Sequence, residues 1–454
     1  MHMKKNIESW KILLQDPIAV TAIVLIVIHQ TIIASSAFFL TRLIEHHEAG
    51  TPFKTYLCLF IISMIVPFIP GCLSLLVLQH WINKAHKKYI DWFSSVMFAK
   101  TEVYLQTESK ETVESMLSRN SFGIISGYIS FIHNFFTFFL NSILSMIVIG
   151  FLLPSQLITG YLISFVLSVG IILILKLSIQ KCAIENESHF IKYGQSLGGV
   201  WKNAVLGNIY NFSIWTKEKN CFAKKYYAAS NKLAAIMQLG NLLLGLAALI
   251  PTCYLIYHLI TGEAVEAVLA AAVIVNLTRI FHILNSLSTL IYQTLDWSAM
   301  NARMCLLFDM RTLLNIASQT LPKTFGPLTI NDVVVNSLYV EVKKIQEQKH
   351  GRFTIRGMNG SGKSTFLLEL KKAAGTDAML LPANINDLCW QSNYQDLSTG
   401  QRVLNILNEA SEIENVRYLL LDEWDANLDT DNVQRINELL SVIAQHRVIV
   451  EIRH

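Results

Sequence analysis

The feature that most constrains this chain is a series of long apolar segments before residue 300. Six of them reach the roughly 20 residues that a membrane-spanning helix needs, and they occupy residues 18–44, 56–82, 124–153, 157–179, 233–260 and 265–295. The chain is 52% hydrophobic and only 15% charged, whereas soluble domains average about 25% charged residues. This balance excludes an ordinary soluble protein and predicts an α-helical transmembrane domain with six spans.

Lysine residues are distributed unevenly between these segments. Lys4, Lys5 and Lys11 precede the first segment, and many lysines lie between the fourth and fifth segments, whereas the loops at 45–54, 154–156 and 261–264 are short and poor in positive charge. Because cytoplasmic loops carry an excess of Lys and Arg, both chain ends are predicted to be cytoplasmic. The net charge of +4 therefore reflects orientation in a lipid bilayer, and no nucleic-acid partner is expected.

Two long loops on the cytoplasmic side, residues 83–123 and 180–232, mix apolar and charged residues without a Pro- or Gly-rich linker. Soluble inserts are one interpretation. Helices that continue out of the membrane and back fit better, since nothing in the first loop breaks a helix.

The chain changes character after Arg303. Pro322, Gly326 and Pro327 mark a connector. Beyond it, strand-like runs at 328–335, 352–356, 378–381, 417–421 and 448–452 alternate with helical stretches, which predicts a parallel α/β sheet. The predicted organisation is a transmembrane domain at 1–310, a linker at 311–327 and an α/β domain at 328–454.

The α/β domain contains the segment Gly357-Met-Asn-Gly-Ser-Gly-Lys-Ser364, which has the GxxxxGK[ST] pattern of a phosphate-binding loop between a strand and a helix. The glycines let backbone N–H groups turn toward phosphate oxygens, and the helix adds the positive end of its dipole. Lys363 is expected to reach the β and γ phosphates, and the Ser364 hydroxyl to bind Mg²⁺. The predicted nucleotide-binding residues are Gly357, Asn359, Gly360, Ser361, Gly362, Lys363, Ser364 and Thr365.

A second motif consists of two acidic residues after an apolar strand, in the segment Arg417-Tyr-Leu-Leu-Leu-Asp422-Glu423. Such an ending is common in other proteins, but after a phosphate-binding loop it suits the carboxylate that holds Mg²⁺. Asp422 is the predicted metal ligand together with Ser364, and Glu423 the predicted base for the attacking water. The predicted cofactors are ATP and Mg²⁺.

Three further segments identify a family. Leu397-Ser-Thr-Gly-Gln401 resembles the signature motif of ABC ATPases, Ala426-Asn-Leu-Asp429 resembles their D-loop, and His454 follows the last strand as their switch histidine does. With the spans ahead of it, the chain resembles a half-size ABC exporter of the six-helix type in the inner membrane.

The resemblance implies a homodimer or a pair with a paralogous half-transporter. Ser398, Thr399, Gly400 and Gln401 of one subunit would close over the γ-phosphate held by Lys363 of the other, and His454 would contact the same phosphate. Asp429 belongs to the D-loop. Residues 115–120 and 201–215 resemble the positions of coupling helices, although an ordinary solvated helix surface is an equal alternative.

The threonine of LSTGQ, Arg402 and Trp424 resemble the branch that exports cyclic peptides and siderophore peptides, and microcin exporters are neighbours of that branch. The sequence departs from the family between Lys363 and Leu397, where the usual Q-loop and helical subdomain have too little room. Asn384 or Gln391 are the candidates for the missing glutamine. Tyr339 is a candidate for stacking on adenine, with strand packing as the alternative.

The sixth predicted span carries Asn276, Arg279, His282 and Asn285, three residues apart. This spacing forms a slanting stripe on a helix, and polar groups inside a span usually face a cavity or a partner. They are therefore predicted to line a substrate cavity, and the alternative is a helix end solvated by the cytosol.

The predicted function is ATP-driven export of a peptide or siderophore-like molecule. An importer on the same scaffold is one alternative, and a degenerate membrane ATPase that transports nothing is the other.

Overall fold

The computed structural model describes residues 15–106, 121–152, 156–261 and 326–453, apart from gaps at 336, 386–387, 393–396 and 427, with isolated positions between 110 and 117 and between 286 and 309. By its internal contacts the chain divides into two compact units. The first comprises Met1–Val96 and Glu108–Asn315, and the second comprises Met97–Thr107 and Ile316–His454.

Long helices make up the first unit. In chain order they are α1 (Pro17–Glu48), α2 (Lys54–Ile65), α3 (Phe68–Met97), α4 (Ser121–Leu152), α5 (Gln156–Leu197) and α6 (Ile209–Thr261). In the described part of the chain, five stretches are long and apolar enough to cross a bilayer: Pro17–Glu48, Lys54–Met97, Ser121–Val148, Leu162–Val205 and Ile209–Leu255. They coincide with the first five predicted spans, and most of the sixth, at 265–295, lies outside the described residues.

The second span consists of two helices because the chain breaks at Val66 and Pro67. Proline has no backbone N–H to donate to the preceding turn and its ring crowds that turn. The break therefore falls where the sequence places the first proline of this segment.

The two loops predicted to be cytoplasmic differ from each other. Residues 180–232 are helical nearly throughout, as predicted, because α5 continues to Leu197, a π-helical turn covers Trp201–Val205, and α6 begins at Ile209. In residues 83–123, α3 extends beyond the predicted span to Met97 and α4 begins at Ser121, but the chain leaves the helix after Met97, where Ala99 has a φ of +61°, although no residue there was expected to break a helix.

Among the described residues of the second unit, six strands form one sheet. They are β1 (Leu328–Ile330), β2 (Val333–Val334), β3 (Gly351–Gly357), β4 (Ala378–Leu381), β5 (Tyr418–Leu421) and β6 (Val448–Ile452), in the order β2-β1-β3-β6-β5-β4. The helices are α7 (Leu338–Glu347), α8 (Lys363–Ala374), α9 (Thr399–Glu412) and α10 (Thr430–Ile443). In the same unit, a 3₁₀ turn at Thr101–Val103 contacts α8.

The sheet is mixed, which corrects the prediction of a purely parallel one. Strands β3, β6, β5 and β4 are parallel, whereas β1 is antiparallel to both of its neighbours. The predicted strand at 328–335 is a hairpin, because Asn331 and Asp332 adopt φ values of +49° and +66°. Asn and Asp tolerate this left-handed region better than most residues.

The central strands β5 and β6 are buried on both faces. One face packs on α7 and α8 through residues such as Ile345 and Phe366, and the other packs on α9 and α10 through residues such as Ile406 and Leu440. Because alternate strand residues point to opposite faces, both sets of positions must be apolar. This explains the nearly unbroken apolar runs of β5 and β6.

Asp16 anchors the start of α1. Its carboxylate accepts from the N–H of Ile18 at 3.0 Å and pairs with Lys84 and Lys88 of α3, with N–O distances of 3.0 and 2.7 Å. Burial acts to raise the pKa of Asp16, but these hydrogen bonds and the lysine charge together bring it to about 2. The carboxylate is therefore ionised at every ordinary pH and stabilises the folded form.

We predict that Asp16→Ala lowers the free energy of unfolding by about 1–2 kcal/mol, since it removes a helix cap as well as an ion pair. Glu45→Ala at the other end of α1 removes only the exposed pair with Arg42 and should cost at most about 0.5 kcal/mol. Unfolding of the purified protein in detergent measures both. The Asp16 contribution is present above the ordinary pKa of 3.8 and is lost as pH falls toward 2. Equal effects of the two substitutions would refute the anchoring role.

Candidate nucleotide-binding site

The loop between β3 and α8 depends on glycine at several positions. Gly360 and Gly362 have φ values of +79° and +95°, a region that residues with a side chain rarely adopt. A Cβ on Gly357 would lie 2.6 Å from Ser361 Oγ and 2.8 Å from Leu328 Cδ2. The loop therefore keeps its tight path only with glycine at these positions.

The lysine of this loop is turned inward. Lys363 is only 8% exposed, and its Nζ donates to the carbonyl oxygen of Gly357 at 2.9 Å. It is the first residue of α8, so the N–H groups of a helix N-terminus begin at the same position. Within the described residues the buried Ser361 Oγ has no hydrogen-bond partner. A cation, free N–H groups and an unpaired hydroxyl together suit a phosphate group.

The parallel strands bring Asp422 to this loop. Asp422 follows β5, the loop follows β3, and β6 lies between the two strands. Ser364 Oγ donates to Asp422 Oδ1 at 3.3 Å across 58 positions of sequence. A hydroxyl and a carboxylate oxygen at this distance are suitable ligands for Mg²⁺, which favours oxygen atoms.

The electrostatics of Asp422 also fit a cation. Burial raises the pKa of Asp422, the nearby Glu423 raises it further, and the hydrogen bond from Ser364 and the charge of Lys363 compensate only in part. The protein thus lacks enough positive charge for this carboxylate. A divalent ion would supply it, since a bound cation reverses the local effect on a carboxyl pKa.

Glu423 lies in a strained backbone conformation beside this pair. Its φ is +47°, which costs energy for a residue with a side chain, and its carbonyl accepts from the N–H of Ala426 in a turn at 3.1 Å. Strain of this kind persists only where the surroundings enforce it, and it is common at functional sites.

The predicted signature segment begins α9. Ser398 is the N-cap of this helix and forms a capping box with Gln401, and Thr399, Gly400 and Gln401 are the first residues of the helix. A Cβ on Gly400 would overlap the side chain of Asn432.

Asn432 connects this segment to the predicted D-loop. It donates to Asp429, the N-cap of α10, through its backbone N–H at 2.7 Å and through its side chain at 2.9 Å. The structure thus brings Gly400 and Asp429 together through one asparagine, which the sequence analysis did not identify.

Other predicted site residues have different outcomes. His454, Asn276, Arg279, His282 and Asn285 lie outside the described residues. Tyr339 belongs to a helix, so the alternative of strand packing is wrong; its side chain is exposed and Lys343 Nζ lies 4.6 Å from the ring centre.

The region of the expected Q-loop is short. Between β4 and α9 the described residues form no α-helix. The backbone N–H of Gln391 donates to Glu409 Oε1 at 2.9 Å.

A buried ion pair that no sequence motif predicted lies behind the site. Glu451 of β6 is 1% exposed and pairs with Arg352 of β3, with an N–O distance of 2.9 Å. The signal was present in the sequence, since Glu451 is the one charged residue in the strand segment Val448–Ile452.

Comparison with solved structures shows a similar fold in a bacterial Atm1-family ABC exporter with ATP bound. The two chains are 15% identical with a TM-score of 0.59, and the alignment covers 96% of this chain and 91% of the other. No protein-family model matches the sequence, and no curated protein matches it. This chain therefore has the fold of an ABC exporter subunit, with five apolar spans in its described part and a small mixed sheet.

We predict that Asp422→Asn separates folding from metal binding. Asp422 is partly buried, and Ser364 and Lys363 offset only part of the cost of burying its charge. Removal of this charge should therefore leave the thermal stability of the protein without nucleotide unchanged or slightly raised. The additional stabilisation by ATP with Mg²⁺ over ATP with EDTA should disappear. The control is Asp332→Asn, which alters an exposed carboxylate in the β1–β2 turn. A magnesium-dependent shift that survives Asp422→Asn would contradict the assignment.

Proposed function

We propose that this chain is one half of an exporter driven by ATP hydrolysis. The observation that carries the proposal is the convergence of Lys363, Ser364 and Asp422 at the carboxyl ends of the parallel strands β3 and β5, which flank β6, next to a glycine-dependent loop. The likeness to the fold of an ABC exporter supports it. The residues Gly357, Asn359, Gly360, Ser361, Gly362, Lys363, Ser364 and Thr365 would bind the nucleotide.

The groups at this site fit phosphoryl transfer to water. Lys363 would exchange its hydrogen bond with the Gly357 carbonyl for one with phosphate oxygens. Ser364 and Asp422 would hold Mg²⁺, which when bound neutralises charge on the phosphate oxygens. The Glu423 carboxylate would take a proton from the attacking water while the bond from the γ-phosphorus to the leaving oxygen breaks. His454 would donate a hydrogen bond to the same phosphate.

The proposed site is complete only with a second subunit. The partner's Ser398 and the partner's Gly400 would approach the γ-phosphate through the N-terminus of α9, whose N–H groups favour an anion. The second subunit is another copy of this chain or a paralogous half-transporter.

An exposed apolar tip supports association. It is defined by Trp201, Leu206, Ile209 and Tyr210 at the turn between α5 and α6, which are 71–84% exposed. Contiguous exposed apolar surface on a protein usually marks an interaction site. Since this turn falls in a loop predicted to be cytoplasmic, we propose that the tip binds the ATPase domain of the second subunit.

We propose that six spans cross the inner membrane and that both termini are cytoplasmic. Residues 1–310 form the transmembrane domain, 311–327 the linker and 328–454 the ATPase domain. Closure of two ATPase domains on ATP would turn a central cavity outward, and hydrolysis would reset it. Asn276, Arg279, His282 and Asn285 would line that cavity, and the cargo would be a peptide or siderophore-like molecule.

We predict that Glu423→Gln lowers kcat for ATP hydrolysis by at least about 100-fold, because the general base is lost, while ATP affinity is retained. Lys363→Ala should remove ATP affinity itself. Phosphate release and nucleotide binding by the protein in nanodiscs measure the two effects, and Glu347→Gln on the exposed side of α7 is the control. Hydrolysis that persists in Glu423→Gln would refute this role, and a wild-type protein that binds but does not hydrolyse ATP would favour the degenerate ATPase.

The direction of transport has its own test. Inverted vesicles containing the protein should accumulate labelled cyclic or siderophore peptides when ATP is added outside, since the ATPase domains then face the added ATP. Uptake that requires the opposite orientation would identify an importer.

The apolar tip gives a further prediction. Trp201→Ala should lower transport in these vesicles by about tenfold, since a tryptophan that a partner subunit covers is often a dominant contact of the interface. Trp201→Phe keeps an aromatic anchor and should retain most transport. Because Trp201 is 73% exposed, neither substitution should alter thermal stability. Full transport by Trp201→Ala would show that the tip has no coupling role.

A further inference from the structure

A buried carboxylate lies behind the nucleotide site. The strand β6 is buried along its whole length, and Glu451 is 1% exposed within it. In the sheet register Glu451 lies beside Thr354 of β3 and beside Leu421 of β5. It is therefore adjacent to both strands that lead into the site.

Four hydrogen bonds satisfy this carboxylate. Arg352 donates from Nε to Oε1 at 3.0 Å and from its terminal nitrogen to Oε2 at 2.9 Å, and Thr354 Oγ1 donates to Oε1 at 2.9 Å. The fourth comes from Trp424 Nε1 to Oε2 at 2.9 Å. Burial acts to raise the pKa of Glu451, but the bonds and charge of Arg352, the bond from Trp424 and the charge of Arg453 lower it overall, so the acceptor stays ionised.

Trp424 is the residue directly after Glu423. Its ring is 7% exposed and packs in the core between α9 and α10. Arg453 covers the ring with its guanidinium carbon 5.0 Å from the centre. The side chain is thus fixed at its edge by a charged acceptor and on its face by a cation.

The strained turn at Glu423 needs such an anchor. A residue with a φ of +47° relaxes unless its neighbours hold the backbone. After the strained residue, the backbone is fixed by the buried Trp424 side chain. Before it, the backbone is fixed by the strand β5, which ends at Leu421. The direction of the Glu423 side chain then depends on the Trp424–Glu451 hydrogen bond.

We propose that Trp424 and Glu451 form a positioning pair that sets Asp422 and Glu423 in their productive geometry. The proposal rests on the function proposed above and extends it to residues that contact neither nucleotide nor metal. The arrangement also ties three parts of the site to one carboxylate, namely the strand before the phosphate-binding loop, the turn after β5 and the end of β6.

A purely structural role makes a different prediction from a positioning role. Trp424→Phe keeps an aromatic ring in the core, but it removes the N–H donor and reduces the volume of the side chain, while Glu451 keeps its bonds from Arg352 and Thr354. Loss of packing alone would lower thermal stability without a selective effect on kcat. Loss of positioning would lower kcat and metal affinity beyond the effect that the same loss of ring volume has at another tryptophan of this core cluster.

The experiment compares Trp424→Phe with Trp390→Phe in the full-length protein in nanodiscs. Trp390 contacts the same core cluster, and its Nε1 has no hydrogen-bond partner among the described residues, so its substitution removes a ring nitrogen without breaking a bond. The readouts are kcat and KM for ATP, thermal stability, and the affinity for Mn²⁺ in the presence of ADP measured by electron paramagnetic resonance.

We expect Trp424→Phe to lower kcat about tenfold with little change in KM, because a small displacement of a catalytic group has a large effect on rate. The affinity for Mn²⁺ should fall about tenfold, as is typical when support behind a metal ligand is removed. Trp390→Phe should match the wild type in kcat, KM and Mn²⁺ affinity, and its change in thermal stability measures the effect of the smaller ring alone.

Two results would overturn the proposal. One is a Trp424→Phe protein with wild-type kcat and Mn²⁺ affinity, and the other is an equal loss in both variants. If the wild type hydrolyses ATP and Trp424→Phe matches it, only the positioning role fails. If the wild type binds Mn²⁺ with ADP but hydrolyses nothing, the Mn²⁺ affinity still decides the positioning role and the proposed ATPase fails separately.

Discussion

The parallel pairing of β3, β6 and β5 is the constraint on which the candidate site depends. Parallel strands end at the same edge of a sheet, so the loops that follow them meet there. The meeting of Ser364 and Asp422 at 3.3 Å across 58 positions is a direct result of this pairing. Glu451 lies on the central strand of the three, and its bonds to Arg352 and Trp424 join the two outer strands behind the same edge. A change in strand order would separate every group assigned to phosphate chemistry.

The first unit, which contains the apolar spans, depends on a different constraint. Lipid offers no hydrogen bonds, so each span satisfies its backbone internally as a helix, and some polar side chains inside the spans pair across helices. Ser74 of α3 lies 3.2 Å from His133 Nε2 of α4, and Asn141 of α4 donates to Ser286 Oγ at 2.7 Å. Ser286 belongs to the segment predicted as the sixth span. Such contacts hold helices together where the hydrophobic effect does not.

Local sequence signals predicted those features that depend on local chemistry. The five described spans, the loop at Gly357–Ser364 and the strand before Asp422 each have a short motif or an apolar run that is sufficient to identify them. The end of α3 near Ala99 has no such signal, since neither glycine nor proline is present there. Asn331 and Asp332 are residue types that favour a turn, but the apolar residues on both sides led to the prediction of one strand. Pairs such as Glu451 with Trp424 depend on strand order, which is not a local property.

In the proposed function, two of these chains bind ATP between the phosphate-binding loop of one and the α9 N-terminus of the other. The most direct test is a cryo-electron microscopy structure of Glu423→Gln protein in nanodiscs with ATP and Mg²⁺. We expect a closed dimer with each nucleotide between Lys363 of one subunit and the partner subunit's Ser398. A structure in which the nucleotide is absent from the Lys363 loop, or in which saturating ATP leaves the ATPase domains apart, would contradict it.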